Sequence, residues 1–413
     1  MKVVLTMIVK DEEHVIERAL LSCVDLIDAY CIVDTGSTDK TKEVIENFFA
    51  NHKRIEGEIV DFPFTNFQEC RNKSIEVGKN YGDWGFWMDA DEELQLNSKW
   101  NKNEFKANVI KDKPDQILFD CIYSSLRYNR AQLFKFSSGY NWYGPVHEVL
   151  RSDKKDQAAL GFPYGTVLIR PDGNSWKGDI SKKYEEHAEI LLKYQEDNNW
   201  EDPRWTFYLA QSFKDASLPV ILTNPKDERG LDLARKSINF YRDRINAKGG
   251  FAQEVYYSQL MIARISYYFS THEQLIYEFQ KCEEYNWDNR IEHIFDLTTI
   301  YKDKQLWRNA KIYGDHAHTL LERSGQDPVS KGRGTRASLF VEKDLYTWRF
   351  YDNFSIVLYY NGLINESLKV IKWILTKHSK AMPDHERERI ENNRTLTKDA
   401  LSARSGIQLP SKK

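Results

Sequence analysis

The sequence predicts an α/β domain built on a mixed sheet, followed by an all-α region of repeat-like helices. Three observations predict it. Continuous apolar runs alternate with helical periodicities as far as the acidic cluster Asp89–Glu93. Shorter, antiparallel-type strand patterns take over between Ile117 and Arg170, and after Ser181 only helical spacing remains. Strand–helix alternation gives parallel pairing with helices on both faces, and ligands then bind beyond the carboxyl ends of the strands.

Val3 to Val9 is an unbroken apolar run, the mark of a strand buried on both faces. Ile16, Ala19, Leu20 and Cys23 recur at helical spacing, and Ala29–Val33 is a second buried strand. Asp39 is placed to cap the next helix, whose apolar face is Val44, Ile45, Phe48 and Phe49. Ile59-Val60 marks a third strand, Phe67 to Val77 a third helix, and Trp84 to Met88 a fourth strand. Ile117–Tyr123, Gln132–Phe136 and Val167–Arg170 finish a Rossmann-like mixed sheet, and Pro171-Asp172-Gly173-Asn174 is a strong turn. Beyond it, Ala234, Ile238, Tyr241 and Ile245 share one helix face, and Tyr257, Met261, Ile265 and Tyr268 another. Leu275, Phe279 and Cys282 follow, and Leu368, Ile371 and Leu375 come near the end. Stacked helix pairs of the tetratricopeptide kind, with a period of about 34 residues, fit this pattern. The pairs do not align at one fixed period, so an irregular helical domain stays open. The expected domains are 1–178, 179–395 and a charged tail, 396–413.

The 413 residues are 41% hydrophobic and 29% charged with a net charge of -3, which excludes a chain built as a whole to bind nucleic acid or anionic membrane. The five cysteines, Cys23, Cys31, Cys70, Cys121 and Cys282, lack C-x-x-C spacing and several lie in apolar runs, so they are expected reduced in a cytoplasmic protein. No apolar run approaches the ~20 residues of a membrane span, and no signal-peptide pattern opens the chain.

Two motifs carry chemistry. In Trp87-Met88-Asp89-Ala90-Asp91-Glu92-Glu93 a buried aromatic strand runs into carboxylates. In an extended chain Asp89 and Asp91 point to one side, as a single metal–diphosphate site needs, and hard oxygen ligands suit Mn2+ or Mg2+. Alone, D-x-D arises often by chance as a solvated loop. In Val33-Asp34-Thr35-Gly36-Ser37-Thr38-Asp39 a strand ends at Asp34 before a tight glycine turn, where Asp34 can accept hydrogen bonds from a base or ribose. The plain alternative is a strand-to-helix turn.

Thr6-Met7-Ile8-Val9-Lys10-Asp11-Glu12-Glu13, the Asp34 motif and Asp89-Ala90-Asp91-Glu92, in that order, resemble the family 2 glycosyltransferases of GT-A fold, particularly bacterial enzymes similar to lipopolysaccharide-core glucosyltransferases. Val146-His147-Glu148 matches a further motif of that group. The C-terminal half resembles a subset with tetratricopeptide-like helices through Asp202-Pro203-Arg204, Phe207–Ser212, Asp352–Ile356 and Glu386–Asn393. Asp11 stands where Asn is usual, Gln132 where Arg is usual, and Arg170 where His is common. The resemblance implies Glu12 and Asp34 at the nucleoside, Arg71 near the nucleotide or diphosphate, Asp89 at ribose or metal, Asp91 at the metal, and His147 as a further metal or diphosphate contact.

An inverting transfer needs a base for the acceptor hydroxyl, and Glu148 is the candidate; the other reading is that it orients His147. Trp142 and Tyr143 either stack on a sugar or pack. Tyr143-Gly144-Pro145 has the composition of a segment that moves. The expectation is a metal-dependent inverting transferase using a nucleotide-sugar, a UDP-sugar first, with a glycan or protein acceptor and the helical region as platform for a protein partner or self-association. The competing reading is a non-catalytic scaffold that binds peptide or glycan, favoured by the departures at Gln132 and Arg170. Gly332-Arg333-Gly334-Thr335-Arg336 resembles the glycine-rich loop of sugar nucleotidyltransferases but sits late, between helices, so it is expected to be a solvated loop.

Overall fold

The computed structural model describes residues 1–413 apart from 124–125, 287–288, 324–338 and 406–413. The late Gly-Arg loop therefore lies outside the described residues. The chain packs as two units: Met1–Glu201 with Asp215–Thr223, and Asp202–Lys214 with Asn224–Lys413.

The first unit runs β1 (Val3–Val9), α1 (Ile16–Cys23), β2 (Ala29–Asp34), α2 (Thr41–Asn51), β3 (Glu56–Asp61), α3 (Phe67–Gly78) and β4 (Trp84–Trp87). It continues with β5 (Glu92–Leu96), α4 (Lys102–Asp112), β6 (Gln116–Tyr123), β7 (Leu126–Lys135), β8 (Tyr140–Tyr143), β9 (Val149–Ser152), β10 (Ala159–Ile169) and α5 (Ile180–Asp197). Eight strands form one sheet in the order β3-β2-β1-β4-β7-β6-β10-β5, and β8 and β9 make a separate hairpin. β3, β2, β1 and β4 are parallel, β7 is antiparallel to β4 and β6, and β10 is parallel to β6, so the sheet is mixed as expected.

Alternation decides which helices cover which face. Val3, Leu5, Met7 and Val9 face the apolar sides of α1, α2 and α4. Val4, Ala29 and Cys31 face α3 and the hairpin, against Ile75, Trp87, Tyr140 and Trp142. All five cysteines are buried and free, and burial pushes the Cys23 and Cys31 thiols up to about 12.

The structure differs from expectation in several places. Phe136 lies in a 3-10 turn that ends the β7 pattern. β10 begins at Ala159, ahead of the expected Val167, and a bulge between Gly161 and Thr166 breaks the alternation of that first part. β5, α4 and the β8–β9 hairpin carry too little apolar periodicity to be read from sequence. α5 packs with the first unit, so the division falls after Glu201 and not at 178.

The second unit contains most of α6 (Pro203–Thr223), then α7 (Glu228–Asn246), α8 (Ala252–Ser266), α9 (His272–Gln280), α10 (Glu292–Asp303), α11 (Trp307–Arg323), α12 (Arg349–Tyr360), α13 (Ile364–Lys377) and α14 (Asp384–Ser405). α7 packs on α8, α10 on α11, and α12 on α13. The pairs open at Glu228, Glu292 and Arg349, too widely and unevenly spaced for a strict repeat of about 34 residues. α14 runs through Ser405, so residues 396–405 are helix and not tail. No helix among the described residues is long and apolar enough to cross a membrane.

Candidate functional site at the carboxyl edge of the sheet

β1, β2 and β4 end together at one edge, and the loops after β1 and β2 are laced to one another. Asp11 adopts φ 55°, a left-handed conformation that Asp and Asn tolerate, so its departure from Asn costs little. Its Oδ1 accepts from Thr38 N at 2.6 Å, while Asp11 N donates to Ser37 Oγ at 3.0 Å. Glu12 N donates to Thr41 Oγ1 at 2.7 Å. Asp39 lies one residue before the cap position of α2 and accepts from Thr41 N at 2.9 Å.

Asp34, 3% exposed, closes the next turn. Its Oδ1 accepts from Gly36 N at 3.0 Å and Ser37 N at 2.9 Å, a turn that Gly36 permits with φ 112°. Its Oδ2 is buried and has no hydrogen-bond partner among the described residues. A buried acceptor in that state is incomplete until a donor arrives.

Asp89-Ala90-Asp91 is not extended. β4 stops at Trp87, and Glu92 N donates to Asp89 O at 3.1 Å, so the three residues form a tight turn. The expected strand alternation therefore does not set the two carboxylates; the turn does. Burial and then the neighbouring Asp89 charge raise the Asp91 carboxyl above its usual range. Glu12 is raised by burial as well, with Asp91 adding to it and the N–H of Asn174 opposing.

Arg71 is not a surface charge. It is buried on α3, donating from Nε to Glu148 Oε1 at 2.6 Å and from Nη2 to Asp89 Oδ1 at 2.8 Å. Its guanidinium lies 5.2 Å from the Trp87 ring centroid and 4.9 Å from that of Trp142. Burial opposes its charge, but Asp89 and Glu148 outweigh burial and hold it firmly protonated. Trp142 thus packs, edge-on to Trp87 at 4.8 Å. Asn72 pins the hairpin beside it, accepting from Trp142 N at 2.8 Å and donating to Trp142 O at 2.9 Å. Tyr143-Gly144-Pro145 is tied to the start of α3: Gly144 N donates to Gln68 Oε1 at 2.6 Å, and Pro145 O accepts from Phe67 N at 3.0 Å.

His147 adopts φ 54° and meets the His187 ring edge-on at 6.2 Å. Among the described residues no group of three or more His, Cys, Asp or Glu side chains is arranged to hold a metal ion, so Asp91 and His147 do not form a ready ligand set.

Several site residues escaped the sequence reading. The turn at 171–176 crosses the site as a strap. Asn174 N donates to both Glu12 carboxylate oxygens at 3.0 and 3.1 Å, and Trp176 Nε1 donates to Asp91 Oδ2 at 2.7 Å. Arg18 grips Asp172 with two bonds of 2.7 Å. A side chain at Gly173 would put its Cβ 2.9 Å from Asp91 Cβ, so the close approach needs glycine. Gln132 donates from Nε2 to Trp87 O at 3.0 Å and accepts from Arg130 Nε at 2.6 Å. Arg130, two residues earlier on the same strand face, bonds Glu92 at 2.6 Å and lies 4.2 Å from the Trp87 ring centroid. A guanidinium therefore reaches this region from 130 in place of 132, a shift that period-2 alternation allows. Arg170 bonds Glu93 at 2.7 Å.

Residues 5–101 match the glycosyl transferase family 2 profile. The chain is 30% identical over 155 residues to a TPR repeat-containing protein of Synechococcus elongatus, covering 36% of this chain and 35% of that protein. It is 24% identical over 252 residues to the SPbeta prophage-derived glycosyltransferase SunS of Bacillus subtilis, covering 57% of this chain and 53% of the relative. The chain thus spans about a third to a half of the length of these curated relatives. Among solved structures, S. aureus TarS 1-349 overlaps 83% of this chain and 100% of its own at 12% identity and a TM-score of 0.34. The mannosyltransferase PcManGT of Pyrobaculum calidifontis, in complex with GDP-Man and Mn2+, overlaps 70% of this chain and 87% of its own at 13% identity and a TM-score of 0.32. Those superpositions are too loose to carry ligand or mechanism across. Motif order, sheet and profile match converge on residues 5–101, which resemble a glycosyl transferase family 2 domain and precede a helical C-terminal region.

Proposed function

We propose that the chain is a metal-dependent, inverting glycosyltransferase that moves a sugar from a nucleotide diphosphate donor, a UDP-sugar first, to a glycan or protein acceptor in the cytoplasm. The observation that supports this most is the set of side chains at the carboxyl edge. Buried Arg71 joins Asp89 to Glu148, while Asp34 keeps an unpartnered oxygen and Glu12 and Asp91 lie in the same group. A ribose hydroxyl or base N–H would complete Asp34 Oδ2, with Glu12 beside it.

Burial first and the Asp89 charge second raise the Asp91 carboxyl, and a bound cation would favour its charged form. Asp89 and Asp91 offer the hard oxygens that suit Mn2+ or Mg2+, with His147 as a further contact. When bound, the ion would draw off charge from the departing diphosphate. The chain's own residues do the rest. Glu148 takes the acceptor hydroxyl proton through the oxygen that Arg71 does not hold, as the hydroxyl attacks the anomeric carbon. The bond from that carbon to the phosphate oxygen breaks, and its electron pair leaves with the diphosphate. The helical region serves as the acceptor platform and as a surface for a protein partner or self-association.

The scaffold reading drew on the departures at Gln132 and Arg170. Arg130 favours the enzyme, since it brings a guanidinium to the base of the acidic turn. A hydrolysis screen of nucleotide sugars with Mn2+ tests the proposal. Slow release of sugar from one donor, lost in Asp91→Ala, is expected. No hydrolysis of any donor, together with no Mn2+-dependent binding of any nucleotide diphosphate, would overturn it.

A further inference from the structure

Four arginines surround the carboxyl edge of the sheet, and each is already matched to a carboxylate. Arg18 holds Asp172, Arg71 holds Asp89 and Glu148, Arg130 holds Glu92, and Arg170 holds Glu93. None of them brings uncompensated positive charge to the site. Lys183 differs. It stands near the start of α5, half-buried, and forms no ion pair among the described residues. Its Nζ donates to Ser175 O at 2.8 Å and lies 5.6 Å from the ring centroids of Trp176 and Tyr184. Neutral groups therefore fix the ammonium in place. Trp176 in turn bonds Asp91 Oδ2, and Asp91 is the carboxylate whose charge acts on Lys183. An unmatched cation thus stands beside the acidic turn, held there through the strap.

A nucleotide diphosphate would add negative charge next to Glu12, Asp34, Asp89 and Asp91. We infer that Lys183 is the side chain that binds the diphosphate of the nucleotide and neutralises it as it leaves. This rests on the transfer reading above. When the anomeric C–O bond breaks, its electron pair stays on the terminal phosphate oxygen. The ammonium keeps its protons and screens that oxygen. The acceptor oxygen forms the new bond to the same carbon, and its proton goes to Glu148. A lysine suits this task because it is a compact point charge on a flexible stem that can follow the departing group.

The test is calorimetric titration of the full chain, with Mn2+ present, using UDP, GDP and the matching monophosphates. Wild type, Lys183→Gln and Lys183→Arg are compared. Wild type should prefer one diphosphate over its monophosphate. Lys183→Gln should weaken the diphosphate by about tenfold or more while leaving the monophosphate unchanged, and Lys183→Arg should recover part of the loss. If Lys183→Gln keeps the full diphosphate preference, the inference fails and the transfer reading stands. If it weakens both nucleotides equally, Lys183 only holds the turn at Ser175, and the inference fails again. If wild type binds none of the four nucleotides, the transfer reading itself falls and takes the inference with it.

Discussion

Arg71→Met offers the sharpest test of how the site is held. Methionine keeps most of the stem volume between Trp87 and Trp142 but strands two carboxylates. The Glu148 side chain is 13% exposed and that of Asp89 33%, so Asp89 can regain water while Glu148 mostly cannot. Removing one partner of a buried ion pair costs about 3–5 kcal/mol, and Glu148 should carry most of it. Losing the guanidinium between two indoles adds about 1 kcal/mol. A total near 5 kcal/mol would lower the melting temperature of the first unit by about 10–20 °C, at the ~2–4 °C per kcal/mol of a domain this size. Arg71→Met with Glu148→Gln removes the stranded charge and should recover about 2 kcal/mol. Thermal unfolding followed by tryptophan fluorescence gives the three values, and hydrogen exchange in α3 assigns the transition to the first unit. If the two single changes add to the double within about 0.5 kcal/mol, Arg71 and Glu148 are not coupled and the reasoning is wrong.

Asp34→Asn keeps an acceptor for the N–H groups of Gly36 and Ser37 but replaces Oδ2 by a donor. Nucleotide affinity should fall by about 1–3 kcal/mol in calorimetry with the melting temperature near wild type; unchanged affinity would make Asp34 a turn residue only. Glu148→Gln still accepts from Arg71 but is no longer basic. Turnover should drop by about 10²–10⁴-fold with donor and Mn2+ affinity nearly constant, and near-normal turnover would exclude it as the base. Asp115 accepts from Lys154 Nζ, Ser138 Oγ and Ala158 N, and these bonds hold its carboxyl down at about 2. A depressed carboxylate stabilises the fold above its ordinary value of 3.8 and loses that contribution as pH falls toward 2. The melting temperature of wild type should therefore fall more steeply than that of Asp115→Asn between pH 4 and about pH 2, and parallel curves would count against the assignment.

The sequence by itself determined the first four strands, the helices between them, and the placing of Asp34 at one strand end and the acidic cluster just past another. Those features are local: an apolar run, a helical spacing or a glycine turn is written within a few neighbouring residues. It also showed that the second half is helical, because the faces of α7, α8 and α13 recur at helical spacing. Only the tertiary structure decided how the site is assembled. Arg71 reads as a surface arginine on α3 until Glu148, 77 residues away, closes over it. Trp176 meets Asp91 across 85 residues and Asn174 meets Glu12 across 162. The run Pro171–Asn174 announces a turn, but nothing local says what the turn will touch. Asp89 and Asp91 are set by a hydrogen-bonded turn that no alternation rule describes. Long-range pairings of this kind depend on which strands become neighbours, and β10 reaches its place by pairing with β6 and β5 only after the chain has folded back.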